Sequence, residues 1–231
     1  FNVALERAGF LPDYVDTDAN VKFEKLDEGW RITNIHLCPT EHSKKNLVEE
    51  KVGGIKYVVG NTVLDNLVDI ETSYTNDVIV TMHRRENHSQ IKEYFEVIDK
   101  LAKDNPDLNF VLPIHPNPNV SKHRDILKNV RVIEPVPYDK MLEMLANCRM
   151  IISDSGGIQE EASFFNKKVI VCRKVTERPE SVGTHSFLCE GPHALEPMFY
   201  DIRNDYVIDE PCPYGDGKSA ERIVKILEEI V

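Results

Sequence analysis

The chain lacks any apolar run approaching the length of a membrane span, and nothing at its start has the make-up of a signal peptide. It also lacks a C-x-x-C pair. Cys38, Cys148, Cys172, Cys189 and Cys212 are odd in number and scattered. Neither a zinc site nor a disulfide framework is suggested, so reduced thiols in a cytoplasmic enzyme are expected. Positive charge is scarce: 28 Lys and Arg stand against 39 Asp and Glu, for a net charge of −11. That excludes a general nucleic-acid binder, which needs a basic stripe to neutralise phosphates. An acidic protein can still hold a nucleotide locally, through helix N-termini and a few placed Arg or His side chains. Internal repeats and low-complexity tracts are missing as well.

What is present fits an ordinary globular protein. The 231 residues, 41% of them hydrophobic, suffice for one large or two small domains with a sizeable core. A first residue of Phe rather than Met points to truncation, processing or an incomplete sequence. From about residue 77, short Val- and Ile-rich runs at 78–82, 110–114, 130–133, 150–153 and 168–172 predict strands covered on both faces. Between them lie helix-like stretches. Residues 90–103 put Ile91, Tyr94, Phe95, Ile98 and Leu101 on one stripe; 138–146 and 157–165 follow, and 219–230 closes the chain. This alternation predicts an α/β fold with a doubly wound parallel sheet. Earlier, 41–50 reads as a helix capped by Thr40, 57–59 as a short strand and 62–68 as another helix, while 1–28 is charged and irregular. The polar stretch 69–76 marks the boundary between a partial N-terminal domain, 1–71, and a C-terminal domain, 72–231.

Four strand ends carry candidate chemistry. The strongest is Asp154-Ser155-Gly156-Gly157-Ile158-Gln159-Glu160-Glu161-Ala162, which follows a strand and opens a helix. The glycines let a phosphate approach the backbone, the helix start favours an anion, and Ser155 adds a hydroxyl. Glu161, four residues after Gly157, could accept hydrogen bonds from a ribose diol. The plain alternative is a tight turn before a capped helix. His83-Arg84-Arg85-Glu86-Asn87 follows strand 78–82. His83 could bind phosphate or shuttle a proton, and Arg84 and Arg85 offer forked donors, against a solvated basic turn paired with Glu86. His115-Pro116-Asn117-Pro118-Asn119-Val120 places His115 at the end of strand 110–114, where a loop-capping histidine is the competing account. In Thr176-Glu177-Arg178-Pro179-Glu180, Pro179 holds Arg178 extended toward a ligand, against a surface turn with a local Glu–Arg pair. Residues 213–217 form a turn before the last helix, with Asp216 as its expected N-cap. Each signal alone is modest, but four at successive strand ends suit one nucleotide site.

Those segments resemble the non-hydrolysing UDP-N-acetylglucosamine 2-epimerases. The likeness rests on HRREN at 83–87, HPNPNV at 115–120, DSGGIQEEA at 154–162, TERPE at 176–180 and PYGDG at 213–217, with PTEHSKKNL at 39–47 and VGNTVLDNL at 59–67 upstream. It extends from roughly Arg31 to the C-terminus. The resemblance implies a glycosyltransferase-B type fold, with a Rossmann-like sheet in each of two domains and the active site between them. It implies interconversion of UDP-N-acetylglucosamine and UDP-N-acetylmannosamine in polysaccharide biosynthesis: UDP is eliminated to leave 2-acetamidoglucal and adds back with C2 inverted. No metal and no external redox cofactor is implied, and the partners are UDP-N-acetylglucosamine or UDP and, in a homodimer, a second copy.

Residue by residue, Ser155, Gly156, Gly157, Glu161 and Arg178 match UDP-binding positions. His83 matches a residue beside the diphosphate that supports catalysis by stabilising departing UDP. Arg84 and His115 match positions that touch a second, activating UDP-sugar in some bacterial relatives. The family's GTRPE and GDT segments are absent, and Leu5-Glu6-Arg7-Ala8-Gly9-Phe10 is a dim echo of its HVEAGLR. Asp27-Glu28-Gly29-Trp30-Arg31 resembles the PEExxR stretch, which makes Asp27 and Glu28 the candidate catalytic carboxylates. Val136 and Met141 replace residues that often line the base pocket, and 183–213 is shortened. On a family-like first domain, roughly 110 to 150 residues would precede Phe1. Two other readings stand beside the epimerase: a non-catalytic UDP-sugar-binding module, favoured by the missing segments, and a glycosyltransferase of the same architecture, which does not fit HRREN with DSGGIQEE.

Overall fold

The Val- and Ile-rich runs lie side by side in one six-stranded sheet in the computed structural model, which describes residues 24–26, 29–31 and 35–230. The chain divides into two compact units, one of residues up to Asp69 with Pro213–Val231, the other Ile70–Cys212. The last helix, expected within 72–231, falls in the first unit.

In the first unit, β1 (Glu24–Leu26) pairs antiparallel with β2 (Gly29–Arg31). β3 (Ile35–Cys38) runs parallel to β4 (Ile55–Val58) across the helix α1 (Glu41–Glu49). Thr40 caps α1 as expected, accepting the Ser43 N–H at 3.1 Å. The helix expected at 62–68 is instead a 3-10 turn over Thr62–Asn66.

The second unit contains β5 (Asp77–Thr81), β6 (Asn109–Pro113), β7 (Arg131–Ile133), β8 (Met150–Ser153), β9 (Lys168–Val171) and β10 (Ser186–Leu188). They are all parallel, in the order β10-β9-β8-β5-β6-β7. The connections are α2 (Ile91–Asp104), the short turn α3 (Pro118–Ser121), α4 (Tyr138–Ala146), α5 (Gly156–Phe164) and, after β10, α6 (Pro192–Ile202). α2 buries the stripe read from the sequence, with Phe95, Ile98 and Leu101 wholly enclosed, and packs against α6. Val78, Val80, Phe110, Leu112, Met150, Ile152 and Ile170 share that core. The alternate residues Ile79, Val111, Ile151, Val169 and Val171 are buried too, facing the other layer, where α4 packs against α5. This is a doubly wound, Rossmann-like sheet. β10 and α6 lie in the stretch 183–213, where the sequence pattern predicts no element.

One consequence of the order matters for the site. From β5 the chain winds outward through β6 to β7, and from β8 it winds the other way through β9 to β10. The strand order therefore reverses between β5 and β8, where doubly wound sheets open a crevice at the carboxyl ends.

α7 (Ser219–Ile230) closes the chain in the first unit. Its expected cap is corrected. The Ser219 and Ala220 amides donate to the Asp65 carboxylate at 3.0 and 2.6 Å, while Asp216 accepts both Nη groups of Arg222 at 2.7 and 2.8 Å. Asp65→Ala is expected to destabilise this unit by about 1–2 kcal/mol in urea unfolding. Asp216→Ala, which breaks an exposed pair, should do less.

Candidate functional site

Asp154 holds the reversal point together. It follows β8 directly and has no exposed surface. Its Oδ1 and Oδ2 both accept the His83 N–H at 3.1 Å, and Oδ2 also accepts the Arg84 N–H at 2.9 Å and the Asn87 amide at 3.1 Å. Asn87 donates on to the Cys172 carbonyl, at the end of β9, at 2.9 Å. Beneath, Thr81 Oγ1 and Ser153 Oγ are 2.7 Å apart, and the Ser155 N–H donates to Ser153 Oγ at 3.0 Å. One buried carboxylate thus ties the loop after β5 to the turn after β8, as a buried charge requires.

Ser155 is the N-cap of α5, in extended conformation, and its side chain makes no capping bond. Gly156 is buried, and a Cβ there would stand 2.9 Å from Arg178 Nη1 and 3.4 Å from Arg84 Nη2. A side chain there would push the tip of Arg178 back from the helix start. Gly157 differs: it is exposed, and a Cβ on it would meet open space. The partial positive charge of α5 and two guanidiniums therefore converge on one spot, an arrangement that attracts an anion.

The loop carrying Arg178 is stitched to α5. Arg178 Nε donates to Glu160 at 2.8 Å, its N–H donates to Thr176 Oγ1, and Thr176 donates to Gln159. Its main carboxylate partner is therefore on the helix rather than beside it in sequence, although Nη1 also approaches Glu177 at 3.7 Å. Glu86 does not pair within its own loop. It accepts from Arg173 Nε at 2.7 Å, and the same Arg173 makes a two-pronged pair with Glu177, holding that carboxyl down at about 2. Arg84 has no carboxylate at ion-pair distance among the described residues, and Arg85 stays exposed in its 3-10 turn.

His83 stands at the mouth with its ring stacked on His115, centroids 5.5 Å apart and planes 19° from parallel. His115 also caps its own turn, Nδ1 accepting the Asn117 N–H at 3.1 Å. Burial pushes the His83 pKa down, Asp154 opposes that, and His115 and Arg84 reinforce it.

Further along α5, buried Glu161 accepts the Tyr138 hydroxyl at 2.6 Å. Burial raises the Glu161 pKa, and the bond from Tyr138 lowers it in part. A carboxyl whose folded pKa is raised contributes stability in full below its unfolded pKa and loses it as pH rises through the folded one. The Tyr138 bond to the ionised form offsets some of that loss. Tyr138→Phe should therefore cost about 1 kcal/mol at pH 8 and clearly less near pH 4, read as urea midpoints at both pH values.

His83, Arg84, Ser155, Gly156, Gly157 and Arg178 are thus gathered around one helix start, with His115 against His83 and Glu161 further along the helix. Asp27 and Glu28 lie outside the described residues, as does 5–10. Asp154, Asn87, Glu160, Arg173 and Tyr138 were not singled out from the sequence. Tyr138 opens the helix that follows β7, so the strand-end rule applied once more would have found it. Among the described residues no group of three or more His, Cys, Asp or Glu is placed to hold a metal ion, and no helix is long and apolar enough to cross a membrane.

Comparison with known proteins identifies the family and the fold. The sequence profile of the family described as UDP-N-acetylglucosamine 2-epimerase matches residues 30–228. A UDP-N-acetylglucosamine 2-epimerase of Neisseria meningitidis is 35% identical, over 91% of this chain and 64% of the relative. One from Campylobacter jejuni is 34% identical, over 85% and 61%. A crystal structure of a UDP-GlcNAc 2-epimerase from Neisseria meningitidis, bound to UDP-GlcNAc, superposes with a TM-score of 0.74 at 33% identity, covering 85% of this chain and 62% of that one. The fold is accordingly of the glycosyltransferase-B type. The chain spans 64% and 61% of the length of these two curated relatives.

Proposed function

The chain belongs to the UDP-N-acetylglucosamine 2-epimerase family, and we propose that it binds the UDP portion of UDP-N-acetylglucosamine and serves its interconversion with UDP-N-acetylmannosamine. The diphosphate sits at the start of α5, against the Ser155, Gly156 and Gly157 backbone and between Arg178 and Arg84. Glu161 takes the ribose hydroxyls. UDP leaves from C1 as C2 loses its proton, and it adds back to 2-acetamidoglucal once C2 has been reprotonated from the other face. Fixed positive charge at the leaving diphosphate favours that departure because it is in place beforehand. His83 stands beside it. Asp27 and Glu28 are the candidate carboxylates for the C2 proton, and Arg84 with His115 is the candidate contact for a second UDP-sugar. No redox cofactor is needed, since elimination and re-addition leave the oxidation state unchanged. The proposal extends to a cytoplasmic homodimer, which light scattering on the native protein checks.

The observation that carries this reading is the convergence of the Arg178 and Arg84 guanidiniums, 2.9 and 3.4 Å from where a Gly156 Cβ would stand. The test is incubation with UDP-N-acetylglucosamine in deuterated water. Deuterium at C2 together with released UDP is expected. Saturable UDP binding without exchange would favour the non-catalytic UDP-sugar module, the reading suited to the missing GTRPE and GDT segments. Absence of UDP binding would overturn both.

A further inference from the structure

Three donors, the His83 and Arg84 amides and Asn87, already account for Asp154 as a loop anchor. One feature exceeds that role. Asp154 Oδ1 also lies 3.5 Å from His83 Nδ1, a small ring rotation short of a hydrogen bond. The ring's broad face is covered by His115, and with Nδ1 turned to the buried carboxylate, Nε2 is the edge left for a ligand. Among the described residues, the other groups around His83 are His115 from the end of β6, Arg84 in its own loop and, past Arg84, Arg178. His88 Nε2 lies 3.2 Å from the His83 carbonyl. All of these are cations or can become so, and among the described residues Asp154 is the carboxylate facing His83.

We propose that Asp154 is a positioning residue for His83: its carboxylate fixes the tautomer with hydrogen on Nδ1, holds Nε2 toward the diphosphate, and lets the ring take up one proton when a nucleotide binds. The inference rests on the reading that a diphosphate occupies the start of α5. In the step itself, the Nε2 lone pair of neutral His83 accepts a proton from solvent. The imidazolium then stands between the Asp154 carboxylate and a phosphate oxygen, and the proton returns to solvent when UDP leaves. Which ring nitrogen carries hydrogen is set by the partner of the other.

Nitrogen-15 NMR of the histidine rings tests this. In the nucleotide-free protein above pH 8, neutral His83 should carry its hydrogen on Nδ1; hydrogen on Nε2 overturns the proposal and needs no variant. In Asp154→Asn the His83 titration midpoint should fall by about one pH unit; an unmoved midpoint overturns it too, because a purely structural anchor would change stability alone. Adding UDP near pH 7 should raise the midpoint in the wild type and raise it less in Asp154→Asn; equal rises refute the proton uptake. If UDP fails to bind, the nucleotide reading and the uptake fall together, while the tautomer still decides whether Asp154 positions His83.

Discussion

Replacing Arg178 with alanine weakens UDP binding by roughly ten- to a hundredfold at fixed salt. A charge-assisted hydrogen bond contributes about 1.5–3 kcal/mol, and each 1.4 kcal/mol is a factor of ten. The loss has two sources. The guanidinium facing Gly156 disappears, and Glu160 loses the positive charge that stood 2.8 Å from it, on the helix close to the incoming phosphates. Arg178→Lys should restore only part of the affinity, since one ammonium cannot hold Glu160 along one edge and present a second edge to the ligand. Uridine, which has no phosphate, should bind the wild type and Arg178→Ala within about twofold of each other. Calorimetric titration with UDP and uridine reads both outcomes; a UDP affinity unchanged in Arg178→Ala would show that the diphosphate does not use this side chain.

Asp154→Ala carries the other large expectation, this time on stability as well as binding. Removing one partner of a buried charged network costs about 3–5 kcal/mol, because the remaining groups are left without water or a substitute. Here the stranded groups are the His83 and Arg84 amides, while Asn87 keeps only the Cys172 carbonyl. The urea midpoint of the unit Ile70–Cys212 should drop accordingly. UDP affinity should fall more than tenfold in whatever fraction stays folded, since the loop bearing Arg84 is no longer tied to the end of β8. A midpoint within about 1 kcal/mol of wild type would mean the loop is held by other means.

Much of this was legible because the chemistry is local. Strands covered on both faces read as unbroken apolar runs, and β8 came out at its observed bounds for that reason. The sequence pattern carries β5, β6 and β9 one residue too far because Met82, Ile114 and Cys172 are buried just past the strand ends, where the Ile114 and Cys172 N–H groups still donate to the Ile133 and Ser153 carbonyls of the neighbouring strands. α6 was missed although it has a signal: Pro192 in the first turn, then Leu195, Phe199 and Ile202 on one face. β10 has little signal at all, being three residues long and starting at a buried serine. The glycines at 156 and 157 look alike in the sequence, but guanidiniums from two distant loops stand against the first and the second faces open space. The Asp65 cap, the Arg178–Glu160 pair and the Tyr138–Glu161 bond join residues 154, 18 and 23 positions apart, so no local pattern could announce them. Asp154 was visible in the motif, but its role needed coordinates, because its donors come from a strand end some seventy residues earlier.

The most direct test of the account is an amide NMR titration of this protein with UDP. The predicted result is saturable movement of the Gly156, Gly157 and Ile158 amides together with the His83 ring and the Arg178 side chain, all giving one affinity. Movement of a different set of residues, with the start of α5 unmoved, would contradict it.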